Sequence, residues 1–249
     1  MDDQHVTATP PPEEEADPSR FWFVFPVALF LVVALCVRVA ILRTQPVDNP
    51  GEPAGAGEHV DNRLDAAWKR RIAQFQQMPE FRELLAGSAA PEEPVQLIRA
   101  LSTKGVARLS DDELLHRVAL LTVLVGRADV ETCAAIFRDS PTAEQLHAAF
   151  LKLDPVTLEA WIDLAARGAM AELQHTEAPS VSETKTTDAL SALVKALPPD
   201  DGNRLSKVLE DVSQSSDADA CWAAKAFYGK VSGIGEPYDR ILARALVRG

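Results

Sequence analysis

The stretch SDDELLHRVALLTVLVGRADVETCAAIFR, residues 110–138, carries two successive helix signals that set the fold class. Ser110 and Glu113 have the spacing of a capping box, in which each side chain accepts a backbone N–H from the other residue. Apolar residues then recur at helical spacing, on one face: Leu114, Val118, Leu121 and Val125. Asp129 has the chemistry of an N-cap, because its carboxylate can accept a first-turn amide. The stretch therefore predicts two consecutive α-helices.

Similar signals extend over residues 59–249 and predict a multi-helix, all-α globular domain. Short apolar stripes of period 3.6 alternate with capping residues, prolines and glycines that begin or end a helix. No run combines strict two-residue alternation with the β-branched residues that a strand needs. Residues 175–188 are polar, contain a proline and lack periodicity, so we expect a loop there.

One seven-residue motif occurs twice in this domain. Residues 129–135 and 217–223 both fit D-x-[DE]-x-C-x-A, and apolar positions upstream of the two copies match as well. An internal duplication would explain the match, with repeat-like units of about 91–174 and 189–249 on either side of the loop. The alternative is chance similarity, which an alanine-rich helical chain produces readily.

The cysteines of the motif are the most informative side chains of the domain. Cys133 and Cys221 each follow an aspartate, Asp129 or Asp217, that we predict to be a helix N-cap. Three interpretations stay open. The cysteines are two separate buried thiols, or they form a disulfide that needs an oxidising compartment. In the third, one of them is a reactive thiol favoured by its helix N-terminus.

A second candidate site lies close to the start of the domain. Trp68, Ile72 and Phe75 fall on one face of a predicted helix. If the rest of the domain leaves that face uncovered, it is a surface on which a protein partner can dock. If the rest of the domain covers it, the same residues belong to the core.

Motifs for catalysis, metals and cofactors are absent from the sequence. The five histidines include no pair at helical spacing, and no glycine-rich phosphate loop or G-x-S-x-G occurs. Ser182–Lys185 matches S-x-x-K, but the match lies in the polar loop and lacks the companion motifs. We therefore predict no catalytic residue, no metal site and no cofactor.

The stretch FWFVFPVALFLVVALCVRVAIL, residues 21–42, predicts a membrane anchor. A helix of this length spans about 33 Å, enough for a hydrocarbon core of about 30 Å. A cleaved signal peptide would need a positive N-region, whereas residues 1–20 are acidic and are expected to be disordered. Residues 43–58 are rich in proline and glycine and are expected to form a flexible linker. We predict a single-pass protein that contacts the bilayer through residues 21–42.

The orientation of the predicted span is ambiguous. Arg20 flanks one end and Arg38 and Arg43 lie at the other, so the positive-inside count favours a cytoplasmic domain by one charge. An exported domain usually follows a short N-terminal tail, one span and a linker, and here the chain has no lysine or arginine between Arg43 and Arg63. We expect the exported arrangement, which is periplasmic if the cell is a bacterium and the membrane its inner membrane.

Three hypotheses for function follow. The first is a non-enzymatic, membrane-anchored helical interaction or scaffold module that binds a protein partner. The second is a thiol-dependent redox factor or enzyme that uses Cys133 or Cys221, and the third is a membrane-tethered regulator that faces the cytoplasm. The formal net charge of −12 argues against nucleic acid as the partner of any of them.

Overall fold

The computed structural model describes residues 57–87 and 94–247, and these ranges are entirely helical apart from turns and connections. They contain eleven α-helices and one 3-10 turn and no strand, which confirms the all-α prediction. No helix within these ranges has both the length and the apolar composition needed to cross a bilayer. The predicted acidic tail, the membrane span over 21–42 and nearly all of the predicted linker lie outside the described residues.

The helices follow one another with short connections. In chain order they are α1 Gly57–Gln76, α2 Pro79–Gly87, α3 Pro94–Gly105, α4 Asp111–Arg127, α5 Val130–Phe137, α6 Ala143–Leu151, α7 Pro155–Leu173, α8 Glu183–Lys195, α9 Pro199–Glu210, α10 Asp217–Val231 and α11 Tyr238–Ala245. The 3-10 turn Val106–Arg108 joins α3 to α4.

Local capping chemistry explains where several helices begin. Ser110 and Glu113 form a complete capping box at α4, and Thr142 forms another with Gln145 at α6. At α7 the N-cap is Asp154, and Pro155 follows at the first helical position, where a missing N–H costs least. These interactions involve residues three apart in sequence, which is why sequence patterns locate them.

The two aspartates of the repeated motif differ in role. Asp129 is the N-cap of α5, and its carboxylate accepts the Thr132 N–H at 2.9 Å. The prediction that Asp217 caps α10 is wrong. Ser216 is the cap and accepts the Asp219 N–H at 3.1 Å, so α10 begins one residue earlier than the motif suggests. Asp217 is the first residue of α10, and its carboxylate forms an ion pair with Arg138.

Helix α4 lies at the centre of the domain. It contacts α5, α6, α7, α10 and α11. Its apolar face is almost completely removed from solvent, as the burial of Leu114, Val118, Leu121, Leu124 and Val125 shows. A helix in contact with five others fixes their relative positions.

The pair α3–α7 makes the most extensive helix contact of the domain. Gly105 and Gly168 permit this approach: a Cβ atom built on Gly105 would come within 1.8 Å of the Gly168 carbonyl oxygen. Beside them the buried Ser102 hydroxyl lies 2.8 Å from the carbonyl oxygens of Ala165 on α7 and Ile98 on α3. Small residues thus bring two backbones together, and carbonyl oxygens of both helices are acceptors for the buried hydroxyl.

The predicted loop over 175–188 is shorter in the structure. Ser182 is the N-cap of α8, which begins at Glu183, so residues 183–188 are helical. The sequence shows no periodicity there because Thr186 and Ala189 are the buried residues of the first two turns, and neither is strongly apolar.

Candidate functional site

The structure joins Cys133 on α5 to Cys221 on α10. Their Cα atoms are 5.0 Å apart and their Sγ atoms 2.18 Å apart, which makes the pair a disulfide. Both residues are almost fully buried, with 0% and 3% of their surface exposed. The bond links chain segments that are 88 residues apart in sequence.

Aromatic side chains surround the same contact between α5 and α10. Phe137 lies 6.0 Å from the Tyr228 ring in an edge-to-face arrangement and 6.4 Å from the Phe227 ring. Burial raises the pKa of the Tyr228 hydroxyl to about 12, and the nearby Arg117 guanidinium only partly offsets that effect. Tyr228 is therefore neutral at physiological pH. The setting of the disulfide is dry and densely packed.

This environment decides what chemistry the cysteines can perform. A redox-active or nucleophilic cysteine needs a thiolate that is exposed and electrostatically favoured. Both sulfur atoms are covalently bonded to each other, and both cysteines are buried where α5 and α10 meet. The arrangement is that of a structural cross-link between α5 and α10.

Two arginines that sequence patterns do not reveal also link distant segments. Arg138, at the end of α5, donates to the carbonyl of Val212 at 3.2 Å and to the Asp217 carboxylate at 2.5 Å. Arg244, on α11, donates to the carbonyl oxygens of Ala107 and Leu109 at 2.9 Å. Their partners are mostly backbone carbonyls far away in sequence, which leave no signal in a sequence.

Arg244 is the more deeply placed of the two arginines. It also pairs with the Asp111 carboxylate at the start of α4, and only 4% of its side chain is exposed. The guanidinium thus satisfies the carbonyl groups of the turn between α3 and α4, which would otherwise be buried without donors.

The predicted partner-docking face of Trp68, Ile72 and Phe75 belongs to the core, so that prediction is wrong. Trp68 and Phe75 are 5% and 2% exposed, and Ile72 packs against the core from its edge. Helices α3 and α7 cover this face of α1. The Phe75 ring also packs on Phe81 of α2, with centroids 5.5 Å apart. The sequence showed that the face is apolar but not what covers it.

Ion pairs hold α1 against α7 from the solvent side. Arg70 contacts Glu159 at 2.5 Å, and Arg71 pairs with Asp163. Arg70 and Arg71, the adjacent arginines of α1, therefore have acidic partners within their own domain. They are not a free cationic patch for an external anion.

Two open clefts flank the connection between α7 and α8. One, of about 390 Å³, lies between α8 and α11, and Arg240 on its wall pairs with Asp112 and Glu236 at 3.0 Å each. The other, of about 400 Å³, lies beside α7, where Arg108 pairs with Glu172 at 2.5 Å. Arg240 and Arg108 are thus paired with carboxylates of the same domain, which leaves neither guanidinium unpaired for an external anion.

The S-x-x-K match is a helix cap. The Ser182 side chain accepts the backbone N–H of Lys185, the residue three positions later. The spacing that resembles an acyl-transfer motif is thus the spacing of an N-cap and its third helical residue. Within the described ranges no group of three or more histidine, cysteine or acidic side chains is arranged to hold a metal ion.

Comparison with protein-family models, curated proteins and solved structures gives no match to this chain. The case for a function therefore depends on the sequence pattern and on the geometry described above.

Proposed function

We propose that this chain is a membrane-anchored helical interaction module without enzymatic activity. The observation that carries the proposal is its layout: a stretch over 21–42 long enough to span a bilayer, a linker rich in proline and glycine, and a helical domain. Such a layout keeps a folded surface within a short distance of a membrane. Its partner would be a protein, because the charge of −12 disfavours nucleic acid.

The internal chemistry of the domain agrees with a scaffold role. The cysteines, Arg138 and Arg244 all connect one part of the domain to another. Each of them stabilises the arrangement of helices, and none is directed toward an open cleft. A rigid surface binds partners with less loss of conformational freedom than a flexible one.

The internal duplication remains part of the proposal. Helices α3, α4 and α5 begin at Pro94, Asp111 and Val130, and α8, α9 and α10 begin about 88 residues later in each case. The disulfide joins matching positions of the two sets, at the contact between α5 and α10. Stacked units of this kind present extended helical surfaces, which favours binding over catalysis.

The start of α7 offers a defined position at which to test for a partner. Val156 is 79% exposed, and Val130 at the start of α5 is 51% exposed. Ion pairs connect the two helix starts, from Arg127 to Asp154 at 3.6 Å and from Lys152 to Asp129 at 3.5 Å.

Membrane fractionation tests the anchor. The full chain should sediment with membranes and resist alkaline extraction, whereas a variant that lacks residues 21–42 should be released. Release of the full chain by alkali would contradict the proposal.

Site-specific photo-crosslinking tests the interaction role in cells. A crosslinker at position 156 should give one discrete adduct, and a matched crosslinker at the exposed Lys207 on α9 controls for random collisions. Equal, diffuse labelling from both positions would count against a defined partner at this surface.

No specific observation favours either of the two alternative functions. A thiol-dependent factor would need an accessible thiolate, and both sulfur atoms are bonded and buried. A regulator that faces the cytoplasm would keep the two cysteines reduced, because cytosolic thiols are held in that state.

A further inference from the structure

The cross-link between α5 and α10 has a consequence for the location of the domain. The chain contains three cysteines: Cys36 within the apolar stretch, and the pair Cys133 and Cys221. The pair is bonded, and the bond lies in the packed interior. Because the sulfur atoms are covered in the folded domain, an oxidant reaches the thiols only before folding is complete or when the domain opens locally.

Formation of this bond requires an oxidant. Two thiols lose two protons and two electrons as the S–S bond forms. The disulfide of an oxidoreductase can accept them by thiol–disulfide exchange, and it becomes a dithiol in the process. Such oxidation proceeds in exported compartments, whereas the cytosol keeps protein thiols reduced.

We propose that the domain is exported and that Cys133 and Cys221 are oxidised by a disulfide-donating oxidoreductase on the non-cytoplasmic side of the membrane. This proposal rests on the membrane anchor of the proposed function in one respect only, which is that the exported domain stays at the membrane. It selects one of the two orientations that the charge pattern leaves open. The buried disulfide is stronger evidence on the orientation than the charge pattern is, because the positive-inside count favours the opposite orientation by only one charge.

Thiol trapping in the full chain tests the oxidation. Cells are quenched in acid, free thiols are blocked with N-ethylmaleimide, and the protein is then reduced and treated with a polyethylene-glycol maleimide. The expected result is a shift by two adducts that appears only after reduction and persists in a Cys36→Ala variant. Cys133→Ala and Cys221→Ala should each abolish the double shift. Blocking of all thiols before reduction would overturn the proposal.

Labelling of a surface cysteine tests the orientation independently. Lys207→Cys, at an exposed position on α9, is introduced into a Cys36→Ala chain that keeps the native pair, so that the fold retains its cross-link. A membrane-impermeant maleimide should label position 207 equally in intact and lysed cells. A matched Ser19→Cys variant in the N-terminal segment should react only after lysis. The reverse pattern, with position 19 labelled in intact cells and position 207 protected, would overturn the proposal.

The two experiments separate this inference from the proposed function. A chain that is oxidised and labelled at position 207 but is recovered in the soluble fraction would support export and contradict the anchor. A chain that resists alkaline extraction while both thiols stay reduced would support the anchor and contradict export. Neither result depends on whether a protein partner is captured.

Discussion

At the scale of single residues, Arg244 makes several polar contacts with a distant part of the chain. Its guanidinium reaches the carbonyl oxygens of Ala107 and Leu109 and the carboxylate of Asp111. Because only 4% of its side chain is exposed, water can hydrogen-bond these groups in place of the guanidinium only if the packing between α11 and the start of α4 opens. Arg244 is therefore a structural residue whose removal has a large cost.

We predict that Arg244→Ala lowers the free energy of unfolding by about 3 kcal/mol, because it leaves buried carbonyl groups without donors. Urea unfolding followed by circular dichroism measures the change. Arg240→Ala is the matched control on the same helix. Its ion pairs with Asp112 and Glu236 are solvent-exposed, and such pairs contribute little to stability, so this variant should unfold close to the wild-type midpoint. Equal effects of the two substitutions would contradict this account.

Asp129 illustrates a residue whose effect depends on pH. Its carboxylate accepts hydrogen bonds from the backbone N–H and the hydroxyl of Thr132, and these bonds lower the pKa of Asp129 below its usual value. A carboxyl whose pKa is lower in the folded state stabilises the fold above its unfolded pKa of about 3.9. That stabilisation is lost as the pH falls through the pKa that Asp129 has in the folded state.

We predict that Asp129→Ala costs about 1 kcal/mol at neutral pH through loss of the N-cap. The difference from the wild-type protein should shrink as the pH falls below about 4. Asp129→Ser retains a capping oxygen without a titratable group, so its stability relative to wild type should be far less affected at neutral pH. Urea titrations at several pH values distinguish the two variants, and a pH-independent cost of Asp129→Ala would contradict the assignment.

At the scale of helices, close backbone approach governs the packing of α3 on α7. Gly105 is required because any side chain there would meet the Gly168 backbone. Gly105 is also the last residue of α3, but its contact with a second helix does not follow from that position. The structure thus assigns one glycine two functions.

We predict that Gly105→Ala destabilises the domain by about 3 kcal/mol, because α3 and α7 must move apart to admit a methyl group. Gly126→Ala on α4 is the matched control, since a Cβ there meets no atom within 4 Å. That substitution should stabilise the domain by about 0.5 to 1 kcal/mol by improving helix propensity. Thermal unfolding of both variants tests the prediction, and equal shifts in Tm would contradict it.

At the scale of the whole molecule, the disulfide and the two arginines connect the part of the domain before residue 138 to the part after residue 211. Cys133 bonds Cys221, Arg138 reaches the segment before α10, and Arg244 reaches the segment before α4. These links lie at different places, so the two parts are restrained at several points. The central helix α4 belongs to the first part and packs against α10 and α11 of the second.

We predict that a double substitution of Cys133→Ala and Cys221→Ala lowers the free energy of unfolding by about 4 kcal/mol, the entropic value of a loop of this length. The wild-type chain should lose the same free energy of unfolding when it is unfolded under strong reductant. Cys36→Ala is the control, and it should respond to reductant as the wild-type chain does. Urea unfolding with and without reductant provides the comparison. A double variant as stable as the oxidised wild type would contradict a stabilising role for the bond.

The sequence by itself determined the helical class, the starts of α4 and α5 and the presence of a repeated motif. The helix starts depend on contacts within about four residues, as at Ser110 with Glu113 and Asp129 with Thr132. Such contacts are fully encoded in local order. The end of the 175–188 segment was misplaced because its first turns bury Thr186 and Ala189, which carry little hydrophobic signal.

Only the tertiary structure decided which of the open alternatives applies at each candidate site. It covered Trp68 and Phe75 with α3 and α7, brought Cys133 to Cys221, and directed Arg244 to carbonyl groups more than a hundred residues away. The physical reason is that each of these contacts depends on where two distant segments meet. An apolar face, a small cysteine or an arginine has the same local pattern whether its partner is solvent, another helix or another protein.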